Sequence, residues 1–330
     1  MSTKIILDAM GGDNAPEVPV HGAVLAAREG VPVILSGEKS QLEELLNKHD
    51  LSGTSIEIVP ANGFIKEGEN PVRELRKNPA SSIATAAGIL KAGKADGLVS
   101  MGSTGATMAA AVLALGMFDG LDRPALGGPF IGLAPGTSII DLGAQIDTRP
   151  SQLVSFAALG VAFARKVQGV ATPRVALLSV GSEPGKGNRL VQSTFPLLER
   201  SGLCFIGNIE AHEIFSQKAE VVVCDGFVGN ILLKFTEGLA AAASKFISGM
   251  VGEDSEVSKA IRMLASNAES AGGPLFGVNG TVVIGHGRSP AEHICSAILR
   301  AKEMFELNLV DEMKAEMMSV VKQVGMSSDD

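Results

Sequence analysis

Short apolar runs alternate with segments of helical period almost from one end of this chain to the other. The runs of strand length are KIILDA (4–9), VPVILSG (31–37), IEIVPA (56–61), GLVSM (97–101), TSIIDLG (137–143), RVALLSV (174–180), CFIGNI (204–209), VVVCDG (221–226) and TVVIG (281–285). Their apolar residues fill both faces, as in parallel strands covered on both sides. Between them lie VPVHGAVLAARE (18–29), SQLEELLNKH (40–49), ASSIATAAGILKAG (80–93), GATMAAAVLALG (105–116), SQLVSFAALGVAFARKV (151–167) and NILLKFTEGLAAAASKFISGM (230–250). The segment after residue 188 begins like a helix, and a final charged helical segment runs from Pro290 to about Val324. This alternation predicts an α/β protein with a mainly parallel sheet flanked by helices. No repeat, low-complexity linker or step in composition marks a boundary, so 1–330 reads as a single α/β unit, with room for two lobes around a central cleft.

Composition narrows the possibilities. With 330 residues, 45% of them hydrophobic and 19% charged, the chain is globular rather than disordered. Aromatic residues are 4%, with neither Trp nor Tyr, which argues against stacking platforms for single-stranded nucleic acid or sugars. A net charge of −8 excludes a broad basic footprint and so a nucleic-acid partner, though not a local basic patch. Cys204, Cys224 and Cys295 show neither metal-ligand spacing nor a disulfide framework, which points to a reducing cytoplasm. The opening MSTKIILDAMGGD is too short in its apolar run for a signal peptide. The charge-free stretch 124–140 carries too many Gly and Pro to span a bilayer, so the protein is expected to be soluble or at most peripheral.

In a parallel sheet, ligands collect beyond the carboxyl ends of the strands. At the first, Asp8 is followed by Gly11-Gly12 and by Asp13 or Asn14 as a helix cap; either this is a turn, or Asp8 and Asp13 face a cleft. Gly102-Ser103-Thr104-Gly105 opens an Ala-rich helix, and its free N–H groups and hydroxyls suit an anion or simple capping equally well. Asp141 and Asp147 flank a glycine turn before Arg149, which is either an anion clamp or a solvated charge. Gly181, Gly185 and Gly187 surround Lys186, with Glu183 placed to orient it and Asn188 at the start of the following helix. Asp225 ends a strand, Gly226 and Gly229 bracket a turn, and Asn230 starts another helix, as a cap or as a donor to a ligand oxygen; Cys224 beside them reads as apolar filler. Asn279-Gly280 reads as a tight turn, and His286 stands between two glycines ahead of Arg288. There is no G-x-S-x-G elbow and no metal-ligand set. The inventory suits positioning an anion and stabilising developing negative charge without a covalent enzyme intermediate.

In order along the chain, DAMGGD (8–13), GSTGA (102–106), DLGAQID (141–147), RVALLSVGSEPGKGN (174–188), VVVCDGFVGNILLK (221–234) and LFGVNGTVVIGHG (275–287) resemble the signatures of the bacterial phosphate acyltransferase family. The resemblance implies a three-layer fold like that of isocitrate and isopropylmalate dehydrogenases and of phosphotransacetylases. It implies a homodimer that transfers a fatty acyl group from acyl carrier protein to inorganic phosphate, giving acyl phosphate for phospholipid synthesis, with no cofactor and no metal. Phosphate is already a nucleophile near neutral pH, so no Ser or Cys is needed. On this reading Lys186 and the 102–105 turn bind phosphate, Asn188 and Asn230 donate to the oxyanion or phosphate, and His286 is a neutral donor or shuttle. Asp8, Gly102, Ser103, Thr104, Gly105, Asp225 and Asn279 complete the substrate-binding set. Implied partners are acyl carrier protein, a glycerol-3-phosphate acyltransferase and the inner face of the membrane as a peripheral contact. The chain departs from the family pattern with Ser103 and Gln145 where Asn is usual, Ser182 where an acid is usual, and a shorter segment before Gly272.

The segment 256–270 repeats Val257, Ala260, Ile261, Leu264 and Ala268 at helical spacing with Lys259 and Arg262 opposite. It is a helix packed in a dimer, or a groove wall, carrier dock or membrane contact. A phosphotransacetylase acting on acyl-CoA and a non-catalytic sensor of acyl thioesters are the rival readings of the whole chain.

Overall fold

A computed structural model describes residues 2–130, 134–269 and 273–326. Its elements in chain order begin β1 (Ile5–Asp8), α1 (Glu17–Arg28), β2 (Val33–Gly37), α2 (Lys39–Leu46), β3 (Ile56–Pro60), α3 (Pro71–Lys77), α4 (Ser82–Lys91), β4 (Gly97–Ser100) and α5 (Thr104–Leu115). Then come β5 (Ala125–Phe130), β6 (Ala134–Ile140), α6 (Pro150–Lys166), β7 (Arg174–Leu178), α7 (Arg189–Glu199), β8 (Cys204–Ile209), β9 (Val221–Val223), α8 (Gly226–Val251) and α9 (Glu256–Glu269). The chain closes with β10 (Gly273–Phe276), β11 (Thr281–Ile284), α10 (Ala291–Glu306) and α11 (Leu309–Val324). It divides into two compact units, Met1–Phe118 with Ala271–Val310, and Asp119–Ser270 with Asp311–Asp330.

In the first unit the strands lie in the order β3-β2-β1-β4-β11-β10, parallel except for β10. Every residue of β1, β2, β4 and β11 is buried, as their two-sided apolar sequences require, whereas the edge strand β3 is only partly covered. Helix α1 packs on α10, and Gly22 permits it: a Cβ there would sit 2.6 Å from that of Ile294. Helices α4 and α5 form a second packed pair.

In the second unit the order is β5-β6-β9-β7-β8, parallel except for β5. Its core joins Phe130, Ile139, Ala176, Leu178, Ile209 and Val222. Helix α6 is buried from Gln152 to Ala164, which explains its apolar residues on every side. Its Gly160 admits Val221, since a Cβ at 160 would be 2.6 Å from the valine Cγ1.

Four elements differ from the pattern-based reading, the first being the short helix α3, which was not expected. Strand β5 was not expected, because Gly127-Gly128-Pro129 has the composition of a turn. Strand β10 was not expected either, because its sequence GPLF opens on Gly-Pro, the composition of a turn. The last helical segment is two helices, broken where Asn308 takes a left-handed φ of 54°.

Helix α8 runs 26 residues, yet only Gly226, Gly229, Thr236 and Ser248 are buried in it. Phe227, Ile231, Phe235, Leu239, Phe246 and Met250 are all more than half exposed. Helix α9 packs against it, and Arg262 is turned back onto Ser248 Oγ and the Glu253 carbonyl, while Lys259 pairs with Glu256. The side chains of Leu264 and Ala268 lie outside the described residues. Among the described residues no helix is long and apolar enough to cross a membrane.

Candidate active site

In the first unit β1, β4 and β11 are parallel neighbours, so their carboxyl ends bring loops 9–13, 101–105 and 285–288 together. Asp8 is buried beneath them. One carboxylate oxygen accepts from Ser100 Oγ at 2.8 Å and the other from Met10 N at 3.3 Å, and burial pushes its carboxyl above the usual range. A Cβ at Gly11 would stand 2.7 Å from both Asp8 Oδ2 and Gly102 N, so the two glycine turns touch through their backbones. Asp13 N donates to the Gly287 carbonyl at 2.8 Å, and Arg288 pairs with Asp13 at 3.4 Å. The DAMGGD and GHGR motifs, 275 residues apart, are thereby joined.

Ser103 caps α5: its Oγ accepts from Ala106 N at 3.4 Å and its carbonyl accepts from Thr107 Oγ1 at 3.1 Å. Its hydroxyl hydrogen and the first N–H groups of α5, from Thr104 and Gly105, remain to donate. His286 is half-buried at the end of β11, where Gly285 is required because a side chain there would overlap Met101. Asn279 does not belong to this rim. It precedes β11, at the opposite end of the strand from His286, and its Nδ2 fastens the Met117 carbonyl at 2.8 Å.

In the second unit β6, β9 and β7 are parallel neighbours, and their carboxyl ends gather loops 141–149, 224–230 and 179–188. Asp141 organises the first. It is fully buried; Oδ1 accepts from Leu126 N, Gly143 N and Ala144 N at 2.9–3.1 Å, and Oδ2 accepts from Gln145 N at 2.7 Å. Burial outweighs these donors and raises its carboxyl to about 6. Gly226 N donates to the Gln145 carbonyl at 2.7 Å, which brings the start of α8 onto the Asp141 loop. Asp225 caps α8 through Val228 N at 2.9 Å, and the exposed Asn230 lies one turn on, over Gly143. Cys224 is buried, its Sγ donates to the Asp141 carbonyl, and burial pushes its thiol well up, so it is not a nucleophile. Arg149 is held by Asp122.

The loop that carries Lys186 is shaped by residues the sequence reading missed. Gln192 Nε2 bridges the carbonyls of Gly185 and Gly187, both at 3.0 Å, and Asn208 Nδ2 holds the Glu183 carbonyl at 3.0 Å. The signal for Gln192 was available: it stands four residues after the cap Asn188, on the same face of α7. Asn188 Oδ1 accepts from Val191 N at 3.0 Å, which leaves its Nδ2 as a donor. Lys186 is exposed, its stem packed with Glu183 over Gly181, where a Cβ would stand 2.9 Å from the lysine Cγ. Ser179 Oγ is buried without a hydrogen-bond partner among the described residues. A cavity of about 360 Å³ opens here, with Ser179, Asn188 and Asp225 at its polar end and Leu153, Val191, Val228 and Leu232 among its apolar walls.

Residues 3–312 match the model of a family described as fatty acid synthesis protein. A phosphate acyltransferase of Desulfitobacterium hafniense is 40% identical over 326 residues, covering 95% of this chain and 97% of its own length. One from Heliobacterium modesticaldum is 41% identical over 320 residues, covering 93% of this chain and 95% of its own. The chain belongs to the phosphate acyltransferase family. In fold it is similar to a phosphotransacetylase from Staphylococcus aureus, with a TM-score of 0.58 at 18% identity over 92% of this chain and 94% of that one. A putative 4-hydroxythreonine-4-phosphate dehydrogenase from Salmonella typhimurium gives 0.58 at 13% identity over 92% of this chain and 99% of that one. The α/β architecture expected from the sequence is therefore the one observed.

The departures from the family pattern occupy distinct places. Ser103 is a helix cap, Gln145 is buried with its backbone N–H on Asp141, and Ser182 is exposed on the Lys186 loop. Of these three, Ser103 and Ser182 place a side-chain hydroxyl at a strand-end loop, and the shorter segment before Gly272 runs into residues 270–272, which lie outside the described residues.

Proposed function

We propose that the protein transfers a fatty acyl group from the thioester of acyl carrier protein to inorganic phosphate. The observation that carries this, within a family of phosphate acyltransferases, is the apolar cavity whose polar end lies among Ser179, Asn188 and Asp225 beside the Lys186 loop. A phosphate oxygen attacks the thioester carbonyl. The tetrahedral oxyanion collapses, the carbon–sulfur bond breaks, and the carrier thiolate leaves and takes up a proton, giving acyl phosphate and free carrier.

Lys186 neutralises phosphate. Asn188 Nδ2 and the Asn230 amide donate to the oxyanion or to phosphate, where prepositioned donors contribute most. Asp225 fixes the start of α8 and so the place of Asn230. In the first unit, the Gly102-Ser103-Thr104-Gly105 turn offers N–H and O–H donors to an anionic substrate group, His286 acts as donor or proton shuttle, and buried Asp8 holds the turn in shape. Asn279, at the far end of β11, is assigned to the fold. The exposed apolar stripe of α8 is the face assigned to a second copy of the chain in a homodimer. The protein is placed in the cytoplasm, with at most peripheral membrane contact, handing its product to a glycerol-3-phosphate acyltransferase.

The experiment is phosphate-dependent release of free carrier from acyl carrier protein, with hydroxylamine trapping of the acyl phosphate. Acyl-CoA is run beside it. Turnover confined to acyl-CoA would reassign the donor, and binding of the thioester with no trapped product would make the protein a sensor rather than an enzyme.

A further inference from the structure

Ser179 follows the last residue of β7 and carries a hydroxyl that the fold does not use. Its N–H continues the β7–β8 ladder, donating to the Ile209 carbonyl at 2.8 Å. Its Oγ is closed off from solvent and has no hydrogen-bond partner among the described residues. We infer that this hydroxyl binds inorganic phosphate, as a further substrate-contacting group beside Lys186 and Asn188. This rests on the reaction proposed above.

The first argument is the unused hydroxyl itself. Taking an O–H out of water without a new partner costs free energy and returns nothing to the fold. Ser81, Ser82 and Ser138 also carry such hydroxyls, but those residues are wholly buried. Ser179 is only half-buried, and it borders the cavity of about 360 Å³ at its polar end.

The second argument is what covers it. A Cβ at Gly187 would stand 3.0 Å from Ser179 Oγ, and the φ of 103° at Gly187 also favours glycine. The hydroxyl therefore lies directly under the loop that carries the cation. Gln192 Nε2 holds the carbonyls on both sides of Lys186, those of Gly185 and Gly187, which fixes the loop in that place. The lysine stem lies over Gly181, two residues beyond Ser179.

The third argument is the donor set. Among the described residues, the N–H groups of Gly187, Asn188, Arg189 and Leu190 donate to no backbone carbonyl. They open α7, where partial positive charge gathers. Asn188 Nδ2 adds an amide donor, since its Oδ1 already serves Val191 N. Asp225, the carboxylate in the cavity wall, accepts from Val228 N at the start of α8. A tetrahedral anion has four oxygens to share among a hydroxyl, an amide, N–H groups and one ammonium. A thioester carbonyl has one oxygen and would leave most of these donors unused.

The test is calorimetric titration with inorganic phosphate, with and without acyl carrier protein, beside KM for phosphate and for the acyl carrier. The proteins are the wild type, Ser179→Ala and Ser179→Cys. A hydrogen bond to a charged group corresponds to about ten-fold or more in affinity. Ser179→Ala should raise Kd and KM for phosphate about ten-fold and leave KM for the acyl carrier unchanged. It should melt at or above the wild-type temperature, because it removes a hydroxyl that the fold does not use. Ser179→Cys, with a weak S–H donor, should fall between the two; if Ser179→Ala does not fold, Ser179→Cys decides alone. Wild-type phosphate affinity in a folded Ser179→Ala would overturn the assignment. Should that variant also melt lower, the hydroxyl holds an internal water instead. Reduced kcat with unchanged phosphate affinity would move the hydroxyl to the acyl oxyanion and overturn it too. A wild type that binds phosphate yet makes no acyl phosphate would remove the proposed reaction, and the binding comparison would still decide the site. A wild type that binds no phosphate under either condition would overturn the site.

Discussion

Gly229 lies so close to the backbone carbonyl of Asp141 that no side chain fits between them: a Cβ at 229 would overlap the carbonyl oxygen. Helix α8 therefore begins in direct contact with the loop that Asp141 organises, and Asn230 takes its position from that contact. Gly238, further along the same helix, has nothing within 4 Å of where its Cβ would stand. Helix propensity alone makes Gly→Ala stabilising by roughly 0.5–1 kcal/mol. Gly238→Ala should behave that way. Gly229→Ala should do the opposite, destabilising by about 2–3 kcal/mol through overpacking and lowering turnover with it. Melting curves of the two variants check this, and equal behaviour would mean the contact has no energetic weight.

Lys186 is exposed and makes no contribution to the core. Lys186→Ala should leave the melting temperature unchanged and reduce kcat about 100-fold or more, the usual scale for losing a group that stabilises developing charge. Near-normal turnover in the trapping assay would take Lys186 out of the site.

Asn188 serves two purposes that separate by substitution. Its Oδ1 caps α7, and its Nδ2 is the proposed donor. Asn188→Ala loses the cap, at about 1 kcal/mol, and the donor. Asn188→Asp retains the acceptor and places a favourable negative charge at the helix start, but sets that charge against phosphate. If the amide donates to substrate, Asn188→Asp is as stable as the wild type and slower than Asn188→Ala. Activity that simply follows stability would reduce Asn188 to a cap.

Asp141 gives the fold a defined pH dependence. In the folded chain burial raises its carboxyl from 3.8 to about 6. The folded state thus holds this proton more tightly than the unfolded state. Its contribution is present in full below about pH 4 and is lost as the pH rises through 6. The difference amounts to roughly 3 kcal/mol. Denaturant unfolding of the wild type and Asp141→Asn between pH 4 and pH 7 measures it, since the variant cannot titrate there. The wild type should lose about that much relative to the variant, and a constant difference would show an ordinary carboxylate.

Much of this was legible along the chain because the relevant physics is local or periodic. Strands buried on both faces must be apolar at every position, so β1, β2, β4, β7, β9 and β11 were visible as runs. Helix starts need side-chain acceptors and glycine turns, so Ser103 and Asn188 stood out without a structure, whereas the helix expected to start at Asn230 begins at Gly226 and is capped by Asp225. Family signatures then supplied the order in which these loops act. The same residue types serve caps and ligands, however, and spacing cannot separate the two uses. Strand β5 was hidden by Gly127-Gly128-Pro129, and the break at Asn308 carries no Gly or Pro to announce it.

Tertiary structure alone decided the rest, because it depends on distances between residues remote in sequence. Burial made Asp141 an organiser of four backbone donors rather than a flank of a turn. Strand order joined the loop at Asp13 to the loop at Gly287, and strand direction put Asn279 and His286 at opposite ends of β11. Gln192 and Asn208 acquired their role only when α7 and β8 folded around the Lys186 loop. The apolar cavity beside Ser179 exists only where α6, α7 and α8 meet at the end of β7, since its walls come from side chains that no local pattern requires to face one another.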